Sequence, residues 1–268
     1  MRLLLFALLS ISSGSCAWAQ TDTAYWTVQG PVDLFTTDEL GNLYTVRGND
    51  LDLFDRHGVH LAHNSLNAFG LISRIDAFSS MKPMIFSRNQ GQLALLDNTL
   101  SIQGNVMDLS RNGYPQVTLV CTGVQGRFWF FDERDLALMR VDGKLNQLAN
   151  TGRLDQLLSF TPQPTYMEEA NDRLYMVDPE HGVLVFDLFG TYVRTLPILG
   201  ADRIQVREGF LWYVHKGRLE RYDLRAFTTE MVPWPQDSAT AEVLNARIEH
   251  GRLYRQTPEA IRVSPIPK

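Results

Sequence analysis

A repeated unit of about 40 residues runs through most of this sequence and limits the folds open to it. Each unit contains a turn residue, then an apolar residue and usually an aromatic one. The instances lie at 41–44, 126–129, 172–175, 209–212 and 251–254, with a degenerate copy at 82–85. Their last residues are 37 to 46 positions apart. Such a constant interval indicates an array of similar structural units.

A second element of the unit lies about a dozen residues further on, where an alternating strand ends in aspartate. The aspartates are Asp55, Asp97, Asp187 and Asp223, with a looser copy at Asp142, whereas the last copy at 261–263 lacks one. Glycine often follows, as at Gly58, Gly143 and Gly190. Aspartate accepts hydrogen bonds from its own downstream backbone and glycine tolerates positive φ, so a tight turn is predicted here.

Each unit is predicted to form four short strands, which in the fourth unit would be 165–169, 173–177, 182–187 and 191–196. Short strands at this period, punctuated by glycine and aromatic residues, are typical of propeller blades. We therefore predict an all-β fold, a single β-propeller with six four-stranded blades. Two stretches, 105–111 and 154–159, are predicted to form one or two helical turns. A β-sandwich stays open as an alternative, although it requires no such repeat.

The sixth unit supplies only three predicted strands, at 243–248, 253–255 and 261–264. Residues 25–29 form an extra apolar strand ahead of the first unit. We predict that this N-terminal strand completes the sixth blade and closes the ring, because closure removes sheet edges that would otherwise invite aggregation.

The units resemble a known repeat. Residues 174–187, with Gly190 and 193–196, are similar to an NHL-type repeat, and residues 41–61 are similar to it as well. The resemblance implies an NHL/TolB-like six-bladed propeller. Its motif specifies strands and turns, so no functional residue is carried over. The family contains binding scaffolds as well as hydrolases, lactonases and lyases, and the fold does not choose among them.

The first 19 residues differ from the rest. Arg2 precedes an apolar run over 3–9, and small residues lead to Ala17-Trp18-Ala19. This pattern predicts a secretory signal peptide at 1–19, cleaved near Ala19, and a propeller domain at 20–268. The expected location is periplasmic or secreted. A buried N-terminal helix or strand is one alternative, and a lipid anchor at Cys16 is another.

The composition of the chain limits the kinds of partner that we expect it to bind. The formal net charge is −5 and the basic residues are scattered, so nucleic acid is not an expected partner. No segment after the N-terminal run resembles a transmembrane helix. Cys121 lies in an apolar run and is predicted to be a buried small hydrophobe. Trp234, between two prolines, is interpreted as either a surface anchor or a cover for the last blade junction.

From the positions of the histidines and acid pairs we predict no catalytic, cofactor-binding or metal-binding residue. His57, His60 and His63 are three apart, and on a strand this spacing points side chains to opposite faces. The other three histidines, His181, His215 and His250, fall near predicted hairpin turns, with convergence at the channel as an alternative. The pairs Glu168-Glu169 and Asp38-Glu39 have no partner that the sequence can identify, so acid–base chemistry is unsupported.

Two functional hypotheses follow. The first is a non-catalytic binding scaffold of the cell envelope or exterior, which engages a protein or peptide through loops on one propeller face. The second, based on the resemblance alone, is a propeller hydrolase, lactonase or lyase with a metal at the channel mouth. No cofactor is expected for the first.

Overall fold

The chain forms six four-stranded antiparallel sheets arranged around a common axis, as a six-bladed β-propeller. The computed structural model describes residues 24–77, 82–235 and 242–266. The fold class predicted from the repeat is therefore confirmed, including the number of blades and of strands per blade.

Blades 1 to 5 are each built from four consecutive strands. Blade 1 contains β2 (Leu34–Thr37), β3 (Leu43–Arg47), β4 (Asp50–Phe54) and β5 (His60–Ser65), and blade 2 contains β6 (Arg74–Asp76), β7 (Met84–Ser87), β8 (Gln92–Leu96) and β9 (Ile102–Asp108). Blade 3 contains β10 (Val117–Gly123), β11 (Arg127–Asp132), β12 (Ala137–Val141) and β13 (Gln147–Asn150), and blade 4 contains β14 (Tyr166–Ala170), β15 (Arg173–Asp178), β16 (Gly182–Asp187) and β17 (Tyr192–Leu196). Blade 5 contains β18 (Gln205–Arg207), β19 (Phe210–His215), β20 (Arg218–Asp223) and β21 (Thr229–Val232).

Blade 6 joins the two ends of the chain. It contains β22 (Asn245–Glu249), β23 (Arg252–Gln256) and β24 (Ala260–Pro265), with β1 (Trp26–Gln29) as its outermost strand. β1 and β24 run antiparallel, with Val28 opposite Ile261. The predicted closure of the ring by the N-terminal strand is confirmed.

The first strand of each blade borders the central channel, because first strands of neighbouring blades contact one another. The chain moves outward through each blade and then crosses to the first strand of the next. We call the face that carries these crossings, together with the turns between second and third strands, the upper face. The other turns form the lower face.

The repeat has a simple physical basis. Its aromatic position lies on the second strand of each blade and is buried at all six copies, which are Tyr44, Ile85, Trp129, Tyr175, Trp212 and Tyr254. Its aspartate caps the turn between third and fourth strands: an Asp55 carboxylate oxygen accepts hydrogen bonds from the backbone N–H groups of His57 and Val59, both at 2.8 Å. Asp142 and Asp187 make equivalent bonds in their own blades.

The hydrophobic core consists of six clusters, one at each junction between neighbouring blades. The cluster between blades 3 and 4 contains Cys121, which is fully buried as predicted. Burial raises the pKa of its thiol well above the ordinary value. Trp234 packs partly against the cluster between blades 5 and 6, and its indole N–H donates to the carbonyl of Gly217 at 2.7 Å. It covers this junction.

One of the two predicted helical stretches is wrong. Residues 105–108 belong to β9, and Gly104, with φ of 78°, lies where the pairing of β9 with β8 shifts register. The bulge disturbs the regular alternation of side chains along β9. The other stretch is confirmed as helix α1 (Leu154–Leu158). No helix in the described part of the chain is long and apolar enough to cross a bilayer.

Candidate functional site: the central channel and its upper mouth

The central channel is divided into two cavities. The upper one has a volume of about 200 Å³ and the lower one about 220 Å³, and all six first strands or their leading residues contribute to each. Thr36, Tyr166 and Arg247 line both cavities. These three residues therefore lie in the partition between them.

The partition is polar and is organised around Tyr166. Its hydroxyl donates to a carboxylate oxygen of Glu168 at 3.0 Å and accepts from a guanidinium N–H of Arg247 at 3.5 Å. The Arg74 guanidinium lies 4.0 Å from the centroid of the Tyr166 ring. A cation over an aromatic face is favourable, more so where water is excluded.

Each of these two partly buried arginines also has a carboxylate neighbour. Arg74 lies 3.4 Å from Asp76, and Arg247 lies 3.9 Å from Glu168. Residues two apart on a strand share a face, which is why Arg74 and Asp76 both point into the channel. The carboxylates receive backbone hydrogen bonds as well, from the N–H of Thr122 to Asp76 at 3.1 Å and from the N–H of Val206 to Glu168 at 2.9 Å.

Burial and neighbouring charges oppose one another in this network. Burial raises the pKa of the Glu168 carboxyl, and Arg247 acts to lower it. Burial by itself would lower the pKa of the Arg74 guanidinium, but Tyr166 and Asp76 outweigh it and the net shift is upward. Arg74 therefore keeps its charge inside the channel.

The upper cavity is rich in arginine. Arg74, Arg88, Arg203 and Arg247 line it, and its described lining includes no aspartate or glutamate. Arg88 is paired with Glu133 at 3.1 Å, outside the lining. Within the described ranges, Arg203 forms no ion pair or hydrogen bond. Although Arg203 is exposed at the rim, partial desolvation and then the nearby Arg74 lower the pKa of its guanidinium.

A groove of about 620 Å³ runs over the upper face beside this cavity. The groove and the cavity share Thr165, Arg203 and Asn245 in their linings, so the two spaces are continuous. Val214 and Leu244 add apolar surface to the groove. Asp33 and Asp202 line the groove as well, so its lining is mixed in character. Arg203 therefore lies where this groove meets the arginine-lined cavity.

The upper face also exposes leucine side chains. Four connections between successive blades each carry one, at Leu71, Leu157, Leu199 and Leu244, with exposed fractions of 57, 47, 55 and 50%. Scattered exposed leucines are ordinary on a protein surface. Here their place is notable, because all four lie on the face into which the groove is cut.

The lower mouth is acidic by contrast. Its lining includes Glu39, Asp76, Glu168, Glu169 and Glu249. The Glu249 carboxylate is almost fully buried, 2.7 Å from the Arg207 guanidinium and 3.0 Å from the side-chain amide of Gln205. Burial raises the pKa of Glu249 to about 7, although Arg247 and Arg207 both lower it.

Glu168 and Glu169 point to opposite sides of β14. Glu168 faces the channel, whereas Glu169 faces blade 3, where it lies 3.1 Å from the Arg140 guanidinium and accepts the indole N–H of Trp129 at 2.6 Å. Sequence reasoning found no partner for either glutamate. The available signal was the alternation of polar residues on the first strand of a unit, as in Arg74-x-Asp76 and Arg247-x-Glu249.

The predicted orientation of the histidine run is wrong. His60 and His63 both contact one carboxylate oxygen of Asp52, at 2.9 and 3.0 Å. The pairing of β4 with β5 shifts register between Leu53 and Phe54, and the extra residue turns both histidines to one side. The cluster lies on the outermost strand of blade 1, away from the channel.

The other histidines do not converge. His181 and His215 lie on the upper face in different blades, and His250 lies in a turn of the lower face. His181 stacks on Phe160 with ring centroids 3.8 Å apart, so it is held by packing. Across residues 24–77, 82–235 and 242–266, no group of three or more histidine, cysteine or acidic side chains is placed to hold a metal ion.

Solved structures with this architecture differ in function. Virginiamycin B lyase from Staphylococcus aureus matches with a TM-score of 0.59 and 14% identity, covering 88% of this chain and 80% of the lyase. The WD40 domain of Pan2 from Neurospora crassa matches with a TM-score of 0.61 and 9% identity, covering 89% and 92%. A chain of the mitotic checkpoint complex matches with a TM-score of 0.65 and 8% identity, covering 100% and 99%.

These identities show a shared fold and nothing finer. No protein-family model matches the sequence, and no curated protein matches it. The similar structures include a lyase as well as a WD40 domain, so they do not choose between the two functional hypotheses.

Proposed function

We propose that this protein is a non-catalytic binding scaffold whose upper face holds a peptide segment of a partner protein. The observation that carries the proposal is the groove of about 620 Å³ that continues into the arginine-lined cavity. Ligand sites in proteins are concave, mostly apolar and about 300–1,000 Å³ in volume, with a few polar groups that fix orientation. The volume of the groove lies in that range, and Val214 and Leu244 supply apolar surface beside the polar Arg203.

The occupant can be specified by its chemistry. The apolar wall at Val214 and Leu244 favours aliphatic or aromatic side chains, and Arg203 favours a carboxylate next to them. In many proteins a rigid scaffold holds in place the connecting loops that carry the function, and the ring of blades is such a scaffold. We therefore assign a peptide that carries apolar residues beside a carboxylate.

Display selection tests this proposal. A random peptide library is selected on the protein, and the affinity of the selected peptides is measured for the wild type and for the Leu244→Ser variant. The matched control is Phe189→Ser, because Phe189 is 81% exposed but lies on the lower face. We expect at least a fivefold loss of affinity for Leu244→Ser and none for Phe189→Ser. Failure to enrich any peptide, or equal loss in both variants, would reject the proposal.

Two further assignments belong to this proposal. The NHL/TolB-like character rests on the repeat at 174–187, and export rests on the signal pattern at 1–19, which lies outside the described residues, as does Cys16. Export predicts an envelope or secreted form whose N-terminus follows Ala19. N-terminal sequencing of the purified native protein tests this, and a chain that still begins at Met1 would contradict it.

A further inference from the structure

We infer that the upper cavity is a binding site for one carboxylate group, held by Arg203 with support from Arg74 and Arg247. As recognition of a peptide carboxylate this deepens the proposed function and rests on it, whereas anion binding by the cavity stands independently. The inference follows from the charge balance of the cavity, from the contacts of its arginines and from its volume.

The charge balance leaves one positive charge without a partner. Of the four arginines that line the cavity, Arg74 pairs with Asp76, Arg247 with Glu168 and Arg88 with Glu133. Arg203 forms no ion pair within the described residues. Desolvation and then the nearby Arg74 lower the pKa of its guanidinium, and the neighbouring Asp202 offsets them only in part. A single anion bound beside it would balance the cavity.

Arg74 gives a second indication. The N–H of its Nε atom is buried and has no hydrogen-bond partner in the described structure. A buried donor left unpaired is unfavourable, and proteins satisfy nearly all of them. An anion in the cavity would attract the Arg74 guanidinium and offer it a hydrogen-bond acceptor. The same anion would therefore balance the charge of Arg203 and supply the acceptor that Arg74 lacks.

The volume of the upper cavity limits the size of the group that can bind in it. A cavity of about 200 Å³ is smaller than a typical drug-sized site and closed below by Tyr166 and Arg247. It admits the end of a side chain or of a chain terminus, and the rest of the ligand would lie in the adjoining groove. Guanidinium groups bind both carboxylate and phosphate through paired hydrogen bonds, so phosphate is the competing chemistry that a test must separate.

The first experiment titrates the mature protein with succinate and, separately, with inorganic phosphate at low ionic strength, using calorimetry. The variant is Arg203→Gln, and the control is Arg111→Gln. Arg111 lies on an upper-face connection and its side chain is 87% exposed, so the control removes the same charge from the same face without altering the cavity.

We expect saturable 1:1 binding of succinate, weakened about tenfold or more by Arg203→Gln and less than twofold by Arg111→Gln, in keeping with loss of a charge-assisted hydrogen bond. Absence of saturable binding to the wild type, or equal weakening by both substitutions, would overturn the inference. Tighter binding of phosphate than of succinate would overturn the carboxylate assignment. A thermal melt of each variant establishes that it is folded.

The two proposals fail separately. Leu244→Ser should leave succinate binding unchanged, because Leu244 lines the groove and not the cavity. If succinate binds and no peptide is ever selected, the peptide-binding function is wrong and the anion site stands. If selected peptides bind equally to wild type and Arg203→Gln, the scaffold function stands and the carboxylate site is wrong.

Discussion

The guanidinium of Arg140 on β12 lies 3.1 Å from the carboxylate of Glu169 on β14, and this ion pair joins blade 3 to blade 4 in a buried position. The indole of Trp129 and the backbone N–H of Val124 donate to the same carboxylate. An ion pair removed from water is favourable only when both partners are present and well bonded.

The first prediction concerns this pair. Replacing Arg140 with methionine should lower the free energy of unfolding by about 3 kcal/mol, because it leaves the Glu169 carboxylate buried without its counter-charge. Chemical denaturation of the two proteins measures the difference. Restoring neutrality in the double variant Arg140→Met/Glu169→Leu should recover part of the loss. Equal stability of wild type and Arg140→Met would show that the pair contributes nothing.

The second prediction concerns ring closure. Removing residues 25–29 should destabilise the whole propeller by roughly 3 kcal/mol or more, since blade 6 loses β1 and the apolar contacts of Trp26 and Val28. Thermal denaturation provides the measurement, with the chain from Gln20 to Lys268 compared with the same chain lacking 25–29. Val193→Ala, on the outer strand of blade 4 and 41% exposed, is the control and should change little. A shortened chain that melts like the complete one would contradict the role of β1.

The third prediction isolates a close contact. A Cβ at Gly58 would lie 2.7 Å from the Trp26 ring, whereas a Cβ at Gly30 would have no atom within 4 Å, and both glycines have φ near 86°. Gly30→Ala should therefore cost only backbone strain, about 1–2 kcal/mol. Gly58→Ala should cost about 1–3 kcal/mol more, because the tryptophan must move. Denaturant unfolding of both variants measures the two losses of stability. If they are equal, the Trp26 ring can move aside without a measurable loss of stability.

The fourth prediction concerns pH. Because the pKa of Glu249 rises from 4.5 to about 7 on folding, the folded chain binds this proton more tightly than the unfolded chain. Its stabilising contribution is full below about pH 4.5 and is lost as pH rises to about 7. Relative to Glu249→Gln, the wild type should lose up to about 3 kcal/mol across that window. The free energy of unfolding of both proteins is measured from pH 4.5 to 8. If the two plots of stability against pH are parallel, the prediction is wrong.

The fifth prediction concerns Arg203. Since its charge lies near Arg74 and Arg247 and forms no ion pair within the described structure, Arg203→Gln should leave the melting temperature unchanged or raise it. Arg74→Gln should lower it, because Asp76 would lose its ion pair with Arg74 in a partly buried position. Addition of succinate should raise the melting temperature of the wild type more than that of Arg203→Gln, because the wild type binds succinate more tightly. A lower melting temperature for Arg203→Gln would indicate a structural role.

The sequence by itself determined the propeller, its six blades and the strand that closes it. These follow from features that recur in most units, such as the buried aromatic on the second strand and the aspartate that caps a turn. Such features act within a few residues, so their pattern along the chain is enough to locate them.

Only the tertiary structure decided the channel. Arg74, Tyr166 and Arg247 come from blades 2, 4 and 6, and they meet because the ring brings every first strand to one axis. The bulge that brings His60 and His63 to Asp52 is likewise set by pairing between strands. The order of residues along the chain shows which side chains share a face of a strand. It does not show which arginines form ion pairs with carboxylates, or that Arg203 forms none, because those contacts depend on closure of the whole ring.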